Sequence, residues 1–187
     1  YNKILPDMPF TGRELGKKIL EEEEITNVSI NPIQQLDHYN PKEKKIHIAT
    51  DKLDKKSITS IAVVAHEIGH AIQDKEKYKP LILRQSLIEK TMIFQRIGSF
   101  LLIIGLPSIF AFTKSPFITL IAAIIIMGCL STNVLIHLIT LPVEFDASFK
   151  RALPILKRFV PRENMYQCKS VLRAAALTYL AQSIVSI

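Results

Sequence analysis

The chain has 187 residues, 48% of them hydrophobic, and a formal net charge of +7. That length suffices for one domain with a real core, and two cysteines without ligand spacing exclude a disulfide framework. The basic excess carries no stripe interleaved with aromatics, so no nucleic-acid partner is expected, and the charge is read as membrane-surface electrostatics.

The first residue is not Met, so the expectation is a trimmed chain whose N-terminal signal or anchor lies outside it. "TGRELGKKILEEEEI" predicts a short amphipathic helix, with Thr11 as N-cap and Leu15, Ile19 and Leu20 on one face. "NVSI" alternates as a strand does. "QLDHYNPKEKK" reads as a turn-rich connection broken at Asn40-Pro41. "KIHIA", residues 45–49, alternates again and predicts a second strand. Asp54 or Ser57 can cap the next helix, expected to run to about Asp74.

That helix carries "HEIGH". His66 and His70, four apart, share one helical face, so two imidazoles can grip one ion. Zinc accepts such nitrogen donors in a tetrahedral site. Glu67 points beside the pair, where it can act as general base on a water held at the zinc. Gly69 has no Cβ and lets another segment approach the metal closely.

A mixed-charge helical pattern follows from Leu81 to Gln95. Residues 97–143 then carry a single charge, Lys114. The run 115–143 exceeds the roughly 20 apolar residues that a span requires, and 97–113 suffices if extended past a snorkelling Arg96. With "TKSP" as the turn, the two runs predict a transmembrane helical hairpin; the alternative is a pair of buried core helices. After it the chain turns basic, and "VLRAAALTYLAQSIVSI" ends as an apolar helix.

A hydrolytic zinc needs a third protein ligand and an open position. Glu144, just after the second run, is the best donor, because a charge at a membrane helix end is costly without a partner. A chain that crosses and returns brings it back to the side of His66 and His70. Asp146 competes for that role. His137, seven residues before Glu144, is read as a hydrogen-bonding group across the hairpin.

"AVVAHEIGHAIQ", "DHYNP" (residues 37–41) and "LPVEFDAS" (residues 141–148), in that order around a hydrophobic hairpin, resemble the YugP-like neutral zinc metallopeptidases of bacteria. The resemblance spans residues 10–181. It implies a membrane zinc peptidase, broadly similar to the HtpX and CAAX-processing proteases, with Glu144 as third ligand. Those relatives have an aspartate four residues after the glutamate; here Ser148 stands there, and its role is absent or falls to Asp146. Asp37 and His38 belong to "DHYNP", where turn stabilisation is the expected role. The resemblance also implies that the strand before the motif helix is an exposed edge along which substrate lies, making Ile46, His47, Ile48 and Ala49 the candidate substrate-binding residues.

The expected fold is thus α+β and mostly α: a zincin-like H-E-x-x-H helix with a small β-sheet, plus the transmembrane hairpin. Residues 1–96 form the first part of a peptidase domain, 97–143 the hairpin, and 144–187 the third-ligand segment and C-terminal helices. The expected function is a membrane-embedded zinc (Zn2+) endopeptidase of the gluzincin type. Its partners are a peptide or membrane-protein substrate and the lipid bilayer, with partner membrane proteins left open. A site-two-type intramembrane protease and a non-catalytic scaffold retaining zinc are the rivals. Lys79, Arg84, Lys90 and Arg96 before the hairpin, and Lys150, Arg151, Lys157, Arg158 and Arg162 after it, outweigh Lys114 at its turn. The positive-inside rule therefore predicts a multi-pass protein of the bacterial plasma membrane with its site facing the cytoplasm.

Overall fold

The computed structural model describes residues 8–34 and 36–185, and within these the side chains of all but residues 130, 132–135, 137 and 179–185. The first helix, α1 (Gly12–Glu22), starts at a reciprocal cap. The Thr11 hydroxyl accepts from the Glu14 N–H at 3.2 Å, and the Glu14 carboxylate accepts from the Thr11 N–H at 2.8 Å. Leu15, Ile19 and Leu20 bury one stripe of this helix.

Three short strands follow: β1 (Ser29–Ile33), β2 (His38–Asn40) and β3 (Lys45–Ala49). Their spatial order is β1-β3-β2, with β1 parallel and β2 antiparallel to β3. "KIHIA" is therefore the central strand, not an edge. Both of its backbone sides are already paired, and Ile46 and Ile48 are fully buried. The sheet's two edges are β1 and β2, and β2 comprises three residues from within the stretch that reads as a turn. "DHYNP" builds the β2 edge. The Asn40 side chain accepts from the N–H groups of Lys42 and Glu43 and turns the chain into β3. Asp37 accepts from the Ala49 N–H at 2.7 Å and pairs with Lys52. The Tyr39 hydroxyl and Lys44 both reach Asp74.

After a short α2 (Thr50–Leu53), the motif helix α3 runs Ile58–Lys75. Ser57, rather than Asp54, caps it, accepting from the Ser60 N–H. Most of α3 is buried because it is the central rod of the domain. Leu15, Ile19, Ile46, Ile48, Ile61 and Ile68 share one core with Leu156 and Leu172 from the C-terminal segment. Each such aliphatic side chain contributes roughly 1.5–3 kcal/mol on burial.

A helical stretch of 35 residues, Lys79–Thr113, departs from this domain. It comprises α4 (Lys79–Phe100), a widened turn at Leu101–Gly105, and α5 (Leu106–Thr113). The widening lies just before Pro107, whose ring and missing N–H do not fit a regular turn. α4 is continuous through residues 96 and 97. Lys114, at φ 50°, turns the chain. Ser115 then caps α6 (Pro116–Leu130), and α7 (Thr132–Phe145) leads back. α4 packs against α6 and α7, and α5 against α6.

By length and composition, Lys79–Thr113 is apolar enough to cross a membrane; α6 is apolar but shorter. Phe112, Phe117 and Ile124 expose 89%, 70% and 63% of their surface, far from the pattern of a buried core helix. Beyond α7 come a widened turn at Asp146–Ala152, α8 (Leu153–Phe159), a 3-10 turn at Arg162–Asn164, and α9 (Met165–Val185).

Candidate metal centre

His66 and His70 project from the same side of α3, and both are buried. Their rings lie edge to face with centroids 4.8 Å apart. Glu144, at the end of α7, is fully buried and aims Oε2 at them, 3.2 Å from each Nε2. The donor atoms of His66, His70 and Glu144 all lie within 4.8 Å of one another. This is the set expected from the sequence, and Asp146 is not in it. Asp146 instead accepts from the Gln73 amide at 2.8 Å and pairs with Arg151 at 3.0 Å.

The outer nitrogens of both imidazoles are also engaged. His66 Nδ1 lies 2.9 Å from the Ser148 hydroxyl, which donates to the Leu172 carbonyl at 3.1 Å. A hydroxyl that gives its hydrogen away accepts from the ring, so His66 carries its proton on Nδ1. His70 Nδ1 lies 3.0 Å from Gln73 Oε1, an acceptor only, because the Gln73 amide donates to the Val143 carbonyl at 2.9 Å and to Asp146. Each Nε2 then faces Glu144, as an N–H donor in the absence of a cation and as a lone pair when one sits between them. This tautomer pattern suits two imidazoles and a carboxylate on one cation, and nitrogen with carboxylate oxygen is a donor set that zinc accepts.

Ser148, where that role was expected to be absent or to fall to Asp146, itself engages His66 Nδ1, while Asp146 reaches Gln73 and Arg151. Gln73 was missed, although its position three residues after His70 on the same helix was a usable signal. Arg84 was counted only as a flanking charge. Its Nη1 lies 3.1 Å from Glu144 Oε1. The side chain of His137 lies outside the described ones.

Gly69 explains how the two segments come so close. A Cβ built there would lie 2.6 Å from the Ala147 carbonyl oxygen, which is backbone and cannot swing away. Ser148, four residues after Glu144, shares its face of the chain's helical path.

Glu67 is buried and accepts from the Tyr39 backbone N–H of edge strand β2. Burial pushes its carboxyl up to about 7; His66 opposes the rise and the Glu144 charge adds to it. A proton can be taken and returned near neutrality by such a group. Two cavities meet at His38 and Glu67. One, of about 540 Å³, has an apolar lining that includes Leu36, Val63, Val171 and Ala175. The other, of about 200 Å³, lies between β2 and the start of α4, against Tyr39, Leu81 and Arg84. Of the residues expected to bind substrate, Ile46 and Ile48 point into the core, and His47 stacks on His38 at 4.8 Å.

The sequence profile of a family described as "Putative neutral zinc metallopeptidase" matches residues 1–187. The Bacillus subtilis (strain 168) protein named "Putative membrane protease YugP" is 30% identical over 190 residues, covering 100% of this chain and 80% of that protein. No solved structure matches the chain.

Proposed function

Because the chain belongs to the neutral zinc metallopeptidase family, we propose that it is a membrane-embedded endopeptidase whose zinc is held by His66, His70 and Glu144. The convergence of their three donor atoms, with both outer ring nitrogens already engaged, is the observation that carries this reading. Zinc, when bound, supplies the Lewis acidity that lets a water ionise near pH 7 and polarises a carbonyl. Glu67 takes the proton of the attacking water on its carboxylate and returns it to the leaving amine. Ser148 and Gln73 keep the imidazole protons on Nδ1 throughout.

The peptide adds alongside β2, the edge that runs past Glu67, in place of the central strand first expected to receive it. The larger cavity takes an apolar side chain, since its rim charges, Asp37 and Lys52, neutralise each other. Residues 97–143 cross the bilayer as a hairpin, while the segments before and after it fold together as the peptidase. From Arg84 to Lys114 the helix spans about 45 Å at 1.5 Å per residue, enough for a hydrocarbon core of about 30 Å with the metal centre outside it. The charge bias around the hairpin supports a plasma-membrane protein with that centre in the cytoplasm.

A site-two-type intramembrane protease fits less well, because α3 is enclosed by the soluble core and bracketed by Lys55, Lys56 and Lys75. A zinc scaffold without activity is separated by experiment. Full-length chain in lipid, loaded with zinc, is expected to cleave quenched fluorescent peptides. Glu67→Gln should keep its zinc and lose turnover roughly 100- to 10,000-fold. Equal turnover in the two forms would remove Glu67 from the reaction, and no turnover in either would favour the scaffold.

A further inference from the structure

The two oxygens of the Glu144 carboxylate face different partners. Oε2 faces the two imidazoles at 3.2 Å, and Oε1 lies 3.1 Å from Arg84 Nη1. Arg84 comes from α4 and Glu144 from α7, so the pair joins the two legs of the hairpin at their base. Glu144 is fully buried and the Arg84 side chain is 16% exposed. A buried ion pair gives little net stability over apolar groups of the same volume, because both charges lose hydration. Its use here is better explained by what it does to the carboxylate.

A carboxylate can hold a metal through one oxygen or through both. A hydrolytic centre built from two histidines and one glutamate must keep a position open for water or substrate. A second oxygen from Glu144 would fill it. We propose that Arg84 is a positioning residue that keeps Glu144 a one-oxygen ligand by engaging Oε1. This rests on the reading of Glu144 as a zinc ligand. The planar guanidinium suits the task, since it fixes direction as well as charge. Its positive charge also opposes a bound cation. Removing it therefore strengthens binding electrostatically and weakens it through lost orientation, so affinity is a poor measure and coordination geometry the right one.

The test uses the full chain in lipid with cobalt(II) in place of zinc, read by visible absorption, which is strongest in four-coordinate sites. The parent should show the intense bands of four-coordination. Arg84→Gln should weaken them by about twofold or more as Oε1 enters the coordination sphere. Its kcat for the zinc form should fall with little change in KM, and Arg84→Lys should lie between. An unchanged spectrum in folded Arg84→Gln would overturn the proposal. So would a loss of turnover with an unchanged spectrum, which would put the guanidinium on the substrate instead. If Arg84→Gln fails to fold, the Arg84→Lys spectrum decides in the same way. A parent that binds no cobalt would overturn the metal centre and this inference together. A parent that binds cobalt but whose zinc form cleaves no peptide would sink the peptidase reading alone, and the spectra would still decide this one.

Discussion

The Ser148 hydroxyl bridges His66 Nδ1, at 2.9 Å, to the Leu172 carbonyl, at 3.1 Å. One small side chain thereby ties the motif helix, the segment after Glu144 and the C-terminal helix into a single hydrogen-bonded line. Ser148→Ala should leave the fold intact and weaken zinc binding by about 10- to 100-fold, the usual cost of removing a partner of a ligating imidazole. Competition with a chelating dye measures this; affinity within twofold of the parent would show that the ring is oriented by packing alone.

Glu144 and Asp146 lie two residues apart and face different partners. Glu144→Gln should cost zinc affinity 100-fold or more, on the order expected for a lost charged ligand. Asp146→Asn should cost at most about 10-fold, since Asp146 touches the centre only through Gln73. Metal content after dialysis reads both, and the reverse pattern would move the third ligand to Asp146.

Gly69→Ala drives a methyl into the Ala147 backbone. Overpacking of this kind costs about 1–3 kcal/mol, and the displaced segment carries Glu144 and Ser148. Lower thermal stability together with loss of zinc is the expected result. A variant with parental zinc affinity would mean that the segment yields elsewhere.

Orientation is tested with single cysteines near Lys114 and near Lys157, in a chain with Cys129→Ser and Cys168→Ala. An impermeant maleimide added to intact cells should label the turn and leave the Lys157 position unlabelled until lysis. Labelling at Lys157 and not at the turn would turn the catalytic side outward.

Local signals in the sequence were sufficient for the first cap and for the candidate ligands of the motif helix. Thr11 is recognisable because a cap is decided within four residues, whereas Asp54 and Ser57 were both left as caps of the motif helix. His66, Glu67 and His70 are fixed by helical period alone, since i and i+4 share a face whatever the helix packs on. The apolar run after Arg96 is likewise legible from composition. Glu144 was reachable by one further step, from the return of the chain after two long runs.

Tertiary structure decided what depends on which segments meet. Strand order is one such thing: "KIHIA" alternates as either an edge or a central strand would, and only pairing with β1 and β2 distinguishes them. β2 itself is three residues long, too short to carry a period. The outer partners of the imidazoles are another. Ser148 is 82 residues from His66, and Arg84 is 60 from Glu144. Side chains so far apart in sequence are joined only when α3, α4, α7 and the widened turn after α7 pack together, and no local pattern encodes that packing.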